Sequence, residues 1–342
     1  MSANQQRLLA AGAAPKKIDI AVSHSNSPYV TAYPWNAGFG TKYADPATLP
    51  ATVGIGLAFS PSGNAIAVTD LSTGYISVYP WAAGFGSKYA DASTLLGSVT
   101  NSVTFNPAGT VIAMATSGSP RINAYAWSNG FGSKYSNPAT LPANSGTSRS
   151  VAFSPSGDTI AIAHEDSPRI SAYPWSSGFG TKYSNPASIP GASAYWVAFN
   201  PSGDTIAVAH DVDTSTVSVY PWSAGFGTKY ADPSAALQGN GRCVAFSTTG
   251  AQIAIGGTAS PFIQAYTWSS GFGTKYANPA INPDSSSNGV SFSPKGNAIA
   301  VATQDTPFIV AYPWNPGFGS KYANPSTLPG GIGKVVAFSP EY

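Results

Sequence analysis

Short stretches of alternating large and small apolar residues recur along the chain. In the stretch T-I-A-I-A at 159–163, Ile160 and Ile162 face one way, while Ala161 and Ala163 face the other. Strict alternation of this kind predicts a β-strand. A strand that is apolar on both faces must be covered on both sides. We therefore expect sheets stacked face to face, with the large face of one nesting on the small face of its neighbour.

Turn signals divide the surrounding unit into four strands. The run V-A-F-S is followed by Pro155 and Gly157, and this pairing predicts a hairpin turn. The stretch R-I-S-A-Y-P-W at 169–175 is rich in strand-forming residues. Pro174 lies near its end and cannot donate to a ladder, so pairing should weaken there. After the turn S-S-G-F-G, the segment T-K-Y at 181–183 predicts a short outermost strand.

The same sequence unit occurs seven times along the chain. Each copy reads A-Y-P-W-x-x-G-F-G-[T/S]-K-Y-x-x-P or a close variant, and V-A-F-S-P-S-G or a close variant follows about twenty residues later; successive copies lie 46 to 48 residues apart. A period in this range, rich in short strands, is typical of a β-propeller blade. The predicted fold is all-β: a seven-bladed β-propeller of four-stranded antiparallel blades. The phenylalanine of the second phrase is Phe59, Phe105, Phe153, Phe199, Phe246, Phe292 and Phe338.

The two ends of the chain hold complementary parts of one blade. Residues 18–22 read as a second strand without its inner strand, and residues 335–339 read as an inner strand without partners. Pairing the C-terminal inner strand with the N-terminal strands would close the ring and remove two open edges. The predicted organisation is an N-terminal arm at 1–16 and a propeller at 17–342.

The repeated motifs carry a family resemblance. The order F-S-P-S-G-D-x-I-A-x-A followed by x-I-x-A-Y-x-W resembles the WD-repeat propellers, over roughly residues 18–342. The resemblance implies the same fold and a protein-docking role. It departs in detail, because each repeat tryptophan is followed by Asn, Ala or Ser and never by Asp, and the family's Gly-His pair is absent.

Composition excludes several classes of partner. Only 9% of residues are charged, against about 25% in ordinary soluble domains, so Ser, Thr, Asn, Gly and Ala must build the surface. Such a surface suits a protein packed against other subunits or exposed outside a cell. The net charge of +2 gives no basic field for nucleic acid. We expect no membrane span, no signal peptide, and for the single cysteine, Cys243, a buried structural role.

Three histidines occupy one repeat position, the end of the second strand, where the sister repeats have Asp, Thr or Gly. We interpret these positions as solvated turn residues on one rim. The runs H-E-D and H-D-V-D on adjacent repeats leave a divalent-metal contact as the alternative. The candidate rim-binding residues are His24, Asp70, His164, Glu165, Asp166, His210, Asp211 and Asp213.

A lysine recurs beside the G-F-G turn of every repeat. The expected role is protection of the outer strand edge, with a polyvalent contact to anionic glycans or phosphates as the alternative. The predicted outer ring consists of Lys42, Lys88, Lys134, Lys182, Lys229, Lys275 and Lys321.

No catalytic motif stands out. The chain offers no Ser-His-Asp order, no paired carboxylates and no phosphate-binding loop in a strand–loop–helix context, so we predict no catalytic residue, cofactor or metal ligand. The repeat breaks its symmetry at three places: Tyr195-Trp196, Arg242-Cys243 and residues 284–288.

The leading functional prediction comes from the arm. Its stretch S-A-N-Q-Q-R-L-L-A-A-G-A-A-P at 2–15 resembles the short Gln- and Ala/Gly-rich leaders of some tailed-bacteriophage particle proteins. That resemblance implies a non-enzymatic structural or surface-attachment protein of a phage virion, docked to other subunits through the arm. The first alternative is a polyvalent lectin that binds cell-surface glycan through the repeated aromatic residues. The less favoured alternative is an enzyme with its site in the central channel.

Overall fold

The computed structural model describes residues 16–72, 76–94, 97–142, 145–211, 215–235 and 238–342. Within these ranges all regular secondary-structure elements are β-strands, which confirms the all-β prediction. No helix long and apolar enough to cross a membrane is found in the same ranges. Residues 1–15 of the predicted arm lie outside the described part, so its docking role stays a prediction.

The strands of these ranges form seven antiparallel sheets. The first sheet takes β1 (Asp19–His24) and β2 (Val30–Pro34) from one end of the chain and β23 (Gly333–Phe338) from the other. The next two sheets are β3 (Leu57–Phe59), β4 (Ala65–Thr69) and β5 (Ile76–Pro80), then β6 (Thr100–Phe105), β7 (Val111–Thr116), β8 (Ile122–Trp127) and β9 (Phe131–Lys134). The fourth and fifth are β10 (Ser148–Phe153), β11 (Thr159–His164) and β12 (Ile170–Pro174), then β13 (Ala194–Phe199), β14 (Thr205–His210) and β15 (Val217–Pro221). The last two are β16 (Gly241–Phe246), β17 (Gln252–Gly257), β18 (Ile263–Trp268) and β19 (Phe272–Lys275), then β20 (Ser287–Phe292), β21 (Ala298–Thr303) and β22 (Ile309–Pro313).

The predicted pairing of the chain ends is present. Strand β23 runs antiparallel to β1, with Ala21 opposite Ala337. Beyond the ladder, the backbone N–H of Lys17 donates to the carbonyl of Tyr342 at 3.0 Å, and that of Tyr342 donates back at 3.2 Å. The first strands of the sheets are neighbours in the order β3, β6, β10, β13, β16, β20 and β23, and β23 again contacts β3. Each first strand therefore contacts the next, and the last contacts the first.

The prediction of four strands in every blade is wrong, and a proline explains the difference. Only the sheets β6–β9 and β16–β19 have a fourth strand; the other five have three strands and a single Trp–Phe bridge in its place. The residue before the repeat tryptophan is Ala126 or Thr267 in the four-stranded sheets and proline in the others. In the three-stranded sheet that contains β2, the Pro34 carbonyl still accepts a 2.8 Å hydrogen bond from the Gly40 N–H. Proline has no N–H, so it cannot donate a second bond to the outer segment. The predicted weakening of pairing at this proline is thereby confirmed.

The core lies between sheets, as the alternating pattern predicts. Ile160 and Ile162 pack in one cluster with small residues of β7 such as Ala113. Ala161 packs on the opposite side, in a cluster with Ile206. Aromatic rings complete each interface: every repeat tryptophan makes edge-to-face contacts with neighbouring rings, and that of Trp175 lies 4.9 Å from Phe179. Such pairs add to the stabilisation from buried area.

Candidate functional site at the mouth of the channel

One repeat position differs in chemistry from copy to copy. It lies four residues before the phenylalanine that ends each first strand. The seven residues at this position are Ile55, Asn101, Arg149, Tyr195, Arg242, Asn288 and Lys334. All seven line one cavity of about 260 Å³. Because they hold the same place on seven first strands that contact one another in turn, they lie together at one end of the sheets. This set is here called the mouth ring.

The mouth ring is cationic. Arg149, Arg242 and Lys334 line the cavity, and no Asp or Glu is among its lining residues. The remaining polar lining consists of neutral donors and acceptors, including Asn288 and Gln304. Converging cations without carboxylates in the wall attract an anion or a carbonyl oxygen that becomes one.

Arg149 is held in place by a carboxylate behind the wall. Its Nε donates to Oε1 of Glu165 at 2.9 Å, and its Nη2 donates to the same oxygen. The other oxygen of Glu165 accepts from the Thr147 backbone N–H at 3.2 Å. Partial burial raises the pKa of Glu165, but the bonds from Arg149 and Thr147 outweigh it and hold that pKa below its ordinary value. Glu165 is therefore an anion that orients Arg149.

Tyr195 links the two arginines. Its hydroxyl donates to Oδ2 of Asp211 at 3.1 Å, which fixes the ring. The Arg242 guanidinium lies 4.1 Å from the ring centroid and that of Arg149 lies 5.7 Å away. Both distances are within the range of a cation–π contact. One phenol thus positions two positive charges at the mouth.

Lys334 and the two asparagines complete the ring. Burial lowers the pKa of Lys334 below that of an ordinary lysine. The Nδ2 of Asn288 donates to the carbonyl of Gly333 at 2.8 Å, and that of Asn101 donates to the carbonyl of Ser148 at 2.8 Å. These bonds join neighbouring first strands and so fix the outline of the cavity.

The histidines are not solvated, and that part of the prediction is wrong. His24 and His164 are 0% exposed and His210 is 2% exposed. Their Nε2 atoms lie 2.9 to 3.1 Å from the hydroxyls of Thr31, Ser171 and Ser218 in the adjacent strand. Burial lowers the pKa of His24 and His164 to about 4 and lowers that of His210 as well. They are neutral packing residues beneath the rim, because the end of the second strand is covered.

The acidic rim candidates accept hydrogen bonds from nearby loops or lie behind the mouth ring. Asp70 is buried and accepts from the Ser72 backbone N–H at 2.8 Å. Asp166 accepts from the Ser145 hydroxyl at 2.6 Å, and its hydrogen bonds lower its pKa. Glu165 and Asp211 stand behind the mouth ring. Asp213 lies outside the described residues. In the part of the chain that the structure describes, no cluster of three or more His, Cys, Asp or Glu residues could hold a metal.

Most of the predicted outer lysines are bonded to their own loops. Five donate to an Asp or Asn three residues later, as in Lys229 to Asp232 at 2.6 Å and Lys275 to Asn278 at 2.8 Å; the others are Lys42, Lys88 and Lys182. The Nζ of Lys321 lies 4.0 Å from Asp284. None of the seven lines the mouth cavity. Their edge-protecting and polyvalent roles stay predictions.

The sequence motifs do not identify the seven mouth-ring residues as one set. Two of the three symmetry breaks, Tyr195-Trp196 and Arg242-Cys243, fall on it, and the third, at 284–288, ends on it. Comparing one position across all seven copies would have found it.

The sequence matches no protein-family model and no curated protein. Similar solved structures exist. A structure named as a 6-phosphogluconolactonase, from Bacteroides fragilis, is 14% identical with a TM-score of 0.74, covering 94% of this chain and 98% of that one. A periplasmic gluconolactonase from Pseudomonas aeruginosa is 12% identical with a TM-score of 0.71, covering 95% of this chain and 100% of that one. A second structure named as a 6-phosphogluconolactonase, from Bacteroides uniformis, is 14% identical with a TM-score of 0.68, covering 94% and 99%.

At these identities the likeness shows the fold alone, that of a β-propeller. The names nevertheless contradict the interpretation of the chain as a non-enzymatic structural protein of a phage particle, which was wrong. Neither the WD-repeat resemblance beyond propeller architecture nor the phage resemblance of the arm has support among these matches. The physical reason for the error is that the constant motifs of the repeat serve packing and turns, so their lack of catalytic residues says nothing of the positions that vary. Docking to other subunits, glycan binding and virion localisation stay predictions.

Proposed function

We propose that the chain is a hydrolase of sugar-acid lactones whose active site is the mouth ring. We also propose that the seven sheets form a closed seven-bladed propeller, with the β23–β1 pairing as its closure. The observation that carries the activity is the convergence of Arg149, Arg242 and Lys334 on a cavity walled otherwise by neutral side chains. The names of structurally similar proteins agree with this class of reaction.

The two arginines suit the demands of ester cleavage. Water adds to the lactone carbonyl carbon, and the carbonyl electrons move to oxygen, which becomes an oxyanion. The intermediate then collapses, the ring C–O bond breaks, and the released oxygen takes a proton, so the product is an open sugar acid. Guanidinium groups stay protonated throughout. Arg149 and Arg242 are pre-oriented by Glu165 and Tyr195, and pre-oriented donors stabilise an oxyanion most effectively.

Among the lining residues, Lys334 is the one best suited to accept the proton of the attacking water, because burial lowers its pKa. Its lowered pKa increases the neutral, basic fraction near neutral pH. Glu165 is a poorer base, because its pKa is lowered and its oxygens are bonded to Arg149 and Thr147. The amide oxygens of Asn101, Asn288 and Gln304 are acceptors for the sugar hydroxyls.

The test is direct hydrolysis. Acid release from δ-gluconolactone and from 6-phosphogluconolactone is followed by pH-stat, with the spontaneous rate in the same buffer subtracted. Arg242→Ala should lower kcat/KM by about 100-fold, the usual loss for an oxyanion donor. Lys295→Ala is the matched control, because Lys295 pairs with Glu341 and does not line the mouth. A wild-type rate equal to the spontaneous rate on both lactones would overturn the proposal.

A further inference from the structure

We propose that Trp196 is the floor of the mouth cavity and determines how large a ligand the site admits. The size limit rests on the proposed function, whereas the position of the floor does not.

The repeat itself marks Trp196 as an exception. It lies three residues before the phenylalanine that ends its first strand, directly after the mouth-ring position. The other six residues at this place are Gly56, Ser102, Ser150, Cys243, Gly289 and Val335, all smaller. Seven first strands around one axis leave room for one large side chain among small ones, and a single repeat supplies it.

The indole separates two chambers. Trp196 lines the mouth cavity and also a second cavity of about 450 Å³ between the first strands. The second cavity is walled by residues such as Ala152, Phe153, Ala337 and Phe338, and none of its lining residues is charged. Trp196 therefore lies between a cationic chamber and an uncharged one.

Contacts across the axis place the side chain in the middle of the channel. Trp196 belongs to β13, whose neighbouring first strands are β10 and β16. Its ring packs against the cluster of Val244, next to its own sheet. It also packs against the cluster that contains Leu57 and Val335, which belong to β3 and β23 on the far side of the ring. One side chain that touches both walls blocks the passage between them.

This position has consequences for a ligand. A lactone ring bound by Arg149 and Arg242 would rest its C–H face on an apolar aromatic surface. A substituent that extends along the axis would meet the indole and be excluded. Removing the indole would join the two chambers and lift that limit.

The first measurement compares lactones of different size. Wild-type protein should prefer δ-gluconolactone to the disaccharide lactone lactobionolactone, and Trp196→Ala should reduce the ratio of the two kcat/KM values by about tenfold, the range of size discrimination by an apolar wall. Trp196→Phe, which keeps a ring, is the matched control and should retain most of the preference. An unchanged ratio in a folded Trp196→Ala variant would overturn the size limit.

The second measurement is independent of catalysis. Indole should bind Trp196→Ala and not wild-type protein in isothermal titration calorimetry, because an apolar cavity left by a removed side chain takes up an apolar molecule of its shape. If indole binds Trp196→Ala but wild-type protein hydrolyses neither lactone, the position of the floor is supported and only the proposed function is refuted. A folded Trp196→Ala variant that binds no indole overturns the floor. If Trp196→Ala does not fold, the two lactones are compared in Trp196→Leu instead. A ratio of kcat/KM values equal to that of wild-type protein would then overturn the size limit.

Discussion

The indole Nε1 of Trp81 donates a 2.8 Å hydrogen bond to Oδ2 of Asp19, a buried carboxylate in the sheet built from both chain ends. The hydroxyl of Tyr43 donates to Oδ1 at 2.8 Å, and the hydroxyl of the C-terminal Tyr342 donates to Oδ2. Other sheets have Ala, Val, Thr or Gln at this register, as at Thr159 opposite Pro174. The three-donor arrangement thus belongs to the junction between the two ends.

Asp19→Ala should lower the free energy of unfolding by about 3 kcal/mol, because three donors at least partly buried would lose their acceptor. Thr159→Ala is the matched control at the same register of an internal sheet, and it should cost about 1 kcal/mol because one hydrogen bond, to Asp158, is lost. Urea unfolding measures both. Equal losses would mean that the junction carries no special stabilisation.

His164 should make stability depend on pH. Its pKa is about 4 in the folded protein and 6.5 when exposed. As pH falls through 6.5 the unfolded chain takes up the proton first, so the contribution of neutral His164 is full above 6.5 and is lost down to about 4. The loss between pH 7 and pH 5 should be roughly 2 kcal/mol from this residue.

The sister repeats supply the variant for that test. Thr116 and Thr303 occupy the same position, so His164→Thr should fold and should remove this part of the pH dependence. Urea unfolding of both proteins at pH 7 and pH 5 gives the difference. If the variant and the wild type lose the same stability, the titration of His164 does not affect folding.

Pro174→Ala should add the missing fourth strand to its sheet. In a four-stranded sheet the residues on either side of Ala126 pair with the outer strand, Tyr125 with Lys134 and Trp127 with Phe131. An N–H at position 174 could likewise complete the ladder. Hydrogen exchange in residues 174–183 should slow by about tenfold, in line with about 1 kcal/mol for one net hydrogen bond. Ala126→Pro is the reverse control, and exchange at 126–135 should quicken. Unchanged hydrogen exchange in both variants would show that the proline does not determine whether a fourth strand forms.

Local patterning was enough to predict the sheets but not what covers their ends. The alternation of Ile160 and Ala161 indicates strands buried on both faces, and Pro174 indicates where pairing stops. The same reasoning placed His164 in solvent, because periodicity along one strand says nothing of the loop that covers its last residue. The carbonyl of Pro142, from the segment before β10, accepts from Ser171, the partner of His164.

The candidate site is harder to predict because it is not local. Arg149, Arg242 and Lys334 lie in three repeats separated by more than ninety residues. Only the arrangement of first strands around one axis brings them to one cavity, and no short motif records that. The interpretation as a phage structural protein was wrong for the same reason, since the constant motifs are those of packing and turns.

Tyr195 should act as a positioning residue for Arg242. Tyr195→Leu removes the ring 4.1 Å from the guanidinium and should lower kcat/KM for δ-gluconolactone by about tenfold, the equivalent of a cation–π contact of 1 to 2 kcal/mol. Tyr195→Phe keeps the ring and loses only the bond to Asp211, so it should retain most of the activity. Steady-state kinetics of the two variants at several salt concentrations tests this. If phenylalanine costs as much as leucine, the Asp211 bond rather than the ring orients the site.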